Sequence, residues 1–408
     1  MVCISPCAAA KADADAFSAA AGARIESLTY QCQPTTGLLP GDDGPQKVPA
    51  SASPCEASAI RLAPVLRRYN RYREALPYAR AASDMNGQLG ATEKDKDKPV
   101  EAKCLTRLPT DAVALNKELG LPAGTLQPED LRQEDTGFRA ALYRDESTGK
   151  MILVPRDTQP TSLVDWQTNT RNGQGMDTPQ YAAARELASK LGDNNISFDL
   201  AGYSKGGGLA QEMALVNQES HAYVFNSAGL HNASLERTGE SDFQSLTHRT
   251  SAFSAQDDFL TYMNTTTDPQ QQIENAEFLQ RELAGENRWW KNPMRIDHAS
   301  PVAPDGSKDA SFAIGLDGYK LELTGFVEGL ERDFAAGKAI QSFPPVRAAQ
   351  METIPGSDSF IGNRLGASDP GPNLGKLNQH LMENVLLPME SSVTKDEAEL
   401  KKFLEHCK

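Results

Sequence analysis

No stretch of this 408-residue chain approaches the ~20 consecutive apolar residues that cross a bilayer. A hydrophobic share of 39% is far too low for a multi-span membrane protein. Histidine is scarce, with six in all, and so is cysteine, also six. Cys3, Cys7, Cys32, Cys55 and Cys104 precede residue 105, and Cys407 is the penultimate residue. No Cys-x-x-Cys occurs and no histidine stands at zinc spacing, so no metal site is expected. The even cysteine count permits disulfides in an oxidising compartment without fixing their pairing, and free thiols suit a reducing one equally. The start, Met1-Val2-Cys3-Ile4-Ser5-Pro6-Cys7, has neither a basic region nor a long apolar segment, so a standard secretory signal is not expected. Cations are outnumbered: the net charge is −14, which argues against broad nucleic-acid binding. The one basic, aromatic-rich run, Arg67-Arg68-Tyr69-Asn70-Arg71-Tyr72-Arg73, reads as a solvated helix face or a docking surface for another protein.

What the chain does have is Gly202-Tyr203-Ser204-Lys205-Gly206, with two more glycines at 207 and 208. Gly-x-Ser-x-Gly is the pattern of a nucleophile elbow, a sharp strand-to-helix turn that holds a serine clear of a sheet. Its flanks fit. Ile196–Ala201 alternates as a strand does, and Leu209, Met213 and Val216 fall on one helical face. His221–Asn226 is a second β-rich run. A phosphate-binding loop would need Gly-Lys-Ser/Thr after the glycines, and here Lys205 precedes them.

A serine needs a base to take its proton, usually a histidine held by a carboxylate. On sheets of this kind the chain order is Ser, then Asp or Glu, then His. His298 and His380 are the candidates that satisfy it, since His221 and His231 precede the acid and His406 is nearly terminal. Thr250–Ser254 reads as a strand, and Asp257 and Asp258 follow it where a loop can aim a carboxylate.

Further pieces carry a resemblance. Val154-Pro155-Arg156-Asp157-Thr158, Asp165-Trp166-Gln167-Thr168-Asn169, Phe225-Asn226-Ser227-Ala228-Gly229-Leu230 and Leu377-Asn378-Gln379-His380-Leu381-Met382 join the elbow. Together they resemble the class 3 lipase family and its bacterial phospholipase relatives, over about 138–262 and again near 380. The resemblance implies Ser204 as nucleophile, His380 as base and Asp258 as acid, with Asp257 and His298 still open. It implies an oxyanion hole from Thr158 and the N–H of Lys205, and no cofactor. Two departures stand out. Asp157 replaces the family's glycine beside the oxyanion residue. The interval from Asp258 to His380 is long, so residues of about 262–345 read as a helical insertion, for which a lid is one reading, with Trp289-Trp290 either a lipid anchor or a local core.

The expected fold is α/β, an α/β-hydrolase with a mostly parallel central sheet. Residues 1–110 read as an irregular, partly helical accessory region, with helices over 8–22 and 61–84, and 111–408 as the lipase-like domain. The implied reaction is hydrolysis of lipid carboxylic esters at a membrane surface. An acyltransferase or small-ester esterase on the same triad, or a catalytically silent hydrolase fold, are the alternatives. Ser53-Pro54-Cys55 followed by Leu62–Tyr69 resembles the leaders of type VI secretion effectors. That implies an antibacterial toxin made in the cytoplasm, delivered to target cells, and held in check by an immunity protein.

Overall fold

The computed structural model describes residues 5–30, 48, 50–87, 101–102, 104–159, 162–256, 258–284, 310–338, 344–354 and 382–407. Among these residues the chain builds one eight-stranded sheet whose spatial order is the sequence order. The strands are β1 (Glu101–Ala102), β2 (Leu105–Arg107), β3 (Ala140–Asp145), β4 (Met151–Pro155), β5 (Asp199–Tyr203), β6 (Ala222–Phe225), β7 (Thr250–Ala255) and β8 (Met351–Ile354). β1 to β4 pair antiparallel, and every pairing from β4 to β8 is parallel. This is an α/β fold, and parallel strands need long crossovers, which here are helical.

The labelled helices are α1 (Pro6–Tyr30), α2 (Pro54–Gly87), α3 (Leu163–Gly173), α4 (Pro179–Asp193), α5 (Lys205–Val216), α6 (Phe259–Thr265), α7 (Pro269–Ala284), α8 (Ala310–Ala335) and α9 (Glu383–His406). Alternation along the strands assigns the two faces. Leu153, Leu200, Ala222 and Val224 pack with Leu187 and Leu191 of α4 and Leu209 and Met213 of α5. Their neighbours Ile152, Val154, Ala201, Tyr203, Tyr223 and Phe225 pack with Tyr72, Leu76 and Ala79 of α2 and Val385 and Met389 of α9. α2 therefore covers the face opposite the elbow helix.

Several local expectations shift for physical reasons. α2 starts at Pro54, within a stretch that reads as irregular, because Ser53 and Glu56 form a capping box: Glu56 N–H donates to Ser53 Oγ (3.3 Å) and Ser53 N–H to Glu56 Oε2 (2.6 Å). β5 begins at Asp199 rather than 196, because Ile196 N–H still closes the end of α4 on Leu191 O. Thr178 caps α4, its hydroxyl accepting from Tyr181 N–H at 3.3 Å.

Arg68, Arg71 and Arg73 of the basic run are half-buried and paired with acids of the same chain. Arg68 forks onto Asp396 of α9, Arg71 onto Glu352 of β8, and Arg73 meets Asp15 of α1. Asp396 is fully buried, so its charge requires the fixed guanidinium. Two disulfides complete this layer: Cys7–Cys104 ties α1 to the turn before β2, and Cys55–Cys407 ties α2 to the residue after α9. In the expected insertion, α7 and α8 pack on each other through Ile273, Ala276, Val327 and Leu330. Arg171 of α3 pairs with Glu322 of α8 at 2.9 Å. Trp289 and Trp290 lie outside the described residues.

Removing the long-range link should matter. Cys55→Ser combined with Cys407→Ser is expected to lower unfolding stability by about 2–4 kcal/mol, read by denaturant titration under non-reducing conditions.

Candidate active site

β5 runs straight into α5, and Ser204 occupies the turn between them with φ 52° and ψ −125°. A non-glycine residue held there stores roughly 1–3 kcal/mol of strain. Backbone bonds fix it. Ser204 N–H donates to Phe225 O at 3.1 Å, and its carbonyl accepts from Gly207 N–H (3.0 Å) and Ala228 N–H (2.9 Å). Two glycines allow the approach. A Cβ on Gly202 would stand 2.3 Å from Gly206 O, and one on Gly206 would stand 2.6 Å from Pro155 O. The sequence pattern is thus a true elbow: the serine follows the end of a central parallel strand and opens a helix whose first N–H groups have no intrahelical acceptor. That helix start favours developing negative charge.

The loop leaving β4 carries the expected oxyanion residue Thr158. It is pressed onto the elbow, because a Cβ on Gly206 would also come within 3.3 Å of Asp157 N. Thr158 Oγ1 accepts from Asn169 Nδ2 at 3.0 Å, which joins it to the Asp-Trp-x-x-Asn segment on α3.

The side chain of Lys205 has a role that the motif does not announce. It is 2% exposed, and its Nζ donates to Asp165 Oδ1 (2.5 Å) and Gln180 Oε1 (2.7 Å). Burial lowers the Lys205 ammonium below its ordinary range, and the Asp165 carboxylate opposes that shift. Asp165, 0% exposed, also takes Gln180 Nε2 (2.6 Å) on Oδ1 and the Gln159 N–H (2.7 Å) on Oδ2. One carboxylate therefore grips the elbow helix with one oxygen and the Thr158 loop with the other. The signal was available: a lysine opening a helix buried on all sides needs a buried acceptor.

Asp258 follows β7 and caps α6, its Oδ2 accepting from Thr261 N–H at 2.7 Å. It is 2% exposed. Asn226, at the end of β6 with φ 42°, ties this strand end to the next: its N–H donates to Phe253 O and its Oδ1 accepts from Ala255 N–H at 2.7 Å. Ser204 and Asp258 thus leave the same end of the parallel sheet with only β6 between their strands. Strands spaced about 4.8 Å apart put those ends roughly 10 Å from each other. His380 and its competitor His298 lie outside the described residues, as does Asp257. Of the described histidines, His221 is at the far end of the sheet. It precedes β6, whose last residue Phe225 pairs with Tyr203, so it stands about 13 Å along the strand from the elbow. It bonds Ser251 Oγ there at 2.9 Å. His231 Nδ1 accepts from Ala233 N–H, and His406 Nδ1–H donates to Lys402 O within α9.

No group of three or more His, Cys, Asp or Glu side chains suited to a metal ion occurs among the described residues, and no described helix is long and apolar enough to cross a membrane. Residues 105–288 match the family model for the phospholipase-like, Tle-like phospholipase domain, which spans β2 through the elbow to α7. A search of curated proteins returns no match.

The Asp165 clamp gives a direct test. Asp165→Ala strands the Lys205 ammonium in the core and should cost about 3–5 kcal/mol of stability, with Asp165→Asn milder, both read by chemical denaturation.

Proposed function

We propose, from the phospholipase-like domain that the chain carries, that it is a serine hydrolase cleaving carboxylic esters of membrane phospholipids. The observation that carries the reading is the strained Ser204 at the mouth of β5, backed by glycines that let α5 close on the strand. In this mechanism Ser204 Oγ attacks the acyl carbonyl while His380 takes its proton. Asp258 orients the imidazole and offsets its positive charge. The tetrahedral oxyanion is held by the N–H groups of Thr158 and Lys205. Collapse expels the lysophospholipid alcohol, which receives the proton from His380, and leaves an acyl-serine. Water, deprotonated by His380, then releases the fatty acid. No step requires a cofactor.

The substrate lies at a membrane surface, so an enzyme of this kind must be kept from its maker's own lipids. We take it as a delivered antibacterial toxin, with a secretion-system component and an immunity protein as its partners. The two disulfides support a working place that is oxidising, such as the target cell's periplasm, after synthesis in the cytoplasm.

Hydrolysis of defined phospholipid vesicles by wild type and Ser204→Ala tests the reading. Ser204→Ala should lose roughly 10⁴-fold or more in rate while keeping the wild-type melting profile, and should no longer react with a fluorophosphonate probe. Full activity in that variant would refute the mechanism. His380→Ala should fall as far, and His298→Ala should stay near wild type.

A further inference from the structure

Asp157 precedes the proposed oxyanion residue on the loop that presses against Gly206. It is 6% exposed, and its Oδ1 has no hydrogen-bond partner among the described residues. The charged groups that face it are Lys205, Arg156 and Asp165. Lys205 Nζ is engaged with Asp165 and Gln180, while Arg156 gives one guanidinium nitrogen to Gly137 O and has no hydrogen-bond partner at Nε among the described residues, so neither cation donates to Asp157 Oδ1. An ionised carboxylate has only acceptors, and an oxygen left without a donor in the interior is costly, a cost that the bond from the Asp157 backbone N–H to the carboxyl offsets only in part. A carboxyl that keeps its proton avoids that cost and gains an O–H donor.

We propose that Asp157 serves the oxyanion side of the site as a neutral carboxylic acid, and that its ionisation switches hydrolysis off. The proton is shared in a hydrogen bond and is not transferred, so Ser204 and the histidine keep their roles. A carboxylic acid held neutral by an apolar site can donate to a developing oxyanion, whereas the same group ionised sets like charge beside it. This inference rests on the serine mechanism above. Burial pushes the Asp157 carboxyl up to about 7, against the pull of Lys205 and Arg156 and with the repulsion of Asp165.

The signs follow. The base must be neutral, so activity falls as pH drops below the histidine's pKa, ordinarily about 6.5. Asp157 must be protonated, so activity also falls as pH rises through about 7. The wild-type profile is then a narrow bell on whose alkaline side the rate falls roughly tenfold per pH unit.

The test compares full-length wild type, Asp157→Asn and Asp157→Gly. Two rates are followed between about pH 5.5 and about pH 9: hydrolysis of phosphatidylethanolamine–phosphatidylglycerol vesicles, and labelling of Ser204 by a fluorophosphonate. In each protein the rate at about pH 8.5 is divided by its own rate at about pH 6, so a uniform loss from altered folding cancels. Both variants should raise that ratio at least ~10-fold over wild type, because neither carries an ionisable group at 157. Variants that keep the wild-type alkaline limb overturn the role of Asp157, as do variants slowed by one factor at every pH. The serine mechanism survives either result provided wild type is labelled. If wild type resists the probe and Ser204→Ala still hydrolyses lipid, the parent mechanism fails instead.

Discussion

Asp165 is the constraint on which the site depends. Its two oxygens gather Lys205 from the elbow helix, Gln180 from α4 and the Gln159 N–H from the loop after β4. The pair with Lys205 is fully enclosed, where the cost of removing two charges from water rivals their attraction. Such a pair contributes little net stability. Its effect is geometric: with either partner misplaced, an unpaired charge would remain inside, so the loop and the helix have one acceptable relative position. The backbone N–H groups proposed to hold the oxyanion sit on those two segments.

The same logic recurs across the sheet. Arg68, Arg71 and Arg73 look from sequence like a cationic surface, yet each finds an acid on α9, β8 or α1. These links fix the helical layer made of the first and last segments of the chain against one face of the sheet, while α4 and α5 fill the other.

Much of the elbow region was legible because its chemistry is local. Glycines at 202 and 206 announce the turn, alternation announces β5, and a β-rich run announces β6. What stayed hidden depends on distant partners. Nothing near Lys205 in sequence names Asp165, forty positions earlier. Ser53-x-x-Glu56 with Pro54 at the first helical position carries a capping-box pattern, but nothing nearby says that the helix it opens runs for 34 residues with Pro64 and Pro77 inside it. Proline breaks an isolated helix; here burial against the sheet and α9 outweighs the lost bonds. Cysteine pairing was equally silent, since connectivity is a property of the folded neighbourhood.

The Cys55–Cys407 bond also has a mechanical meaning. It joins residues 352 positions apart, so nearly the whole sheet lies inside one covalent ring. A single peptide-bond cut anywhere in that ring leaves the two pieces attached, and tension applied at the chain ends passes through the sulfurs instead of peeling strands. Reduction of this bond together with Cys7–Cys104 opens both rings and lets the same polypeptide be drawn out as a single thread.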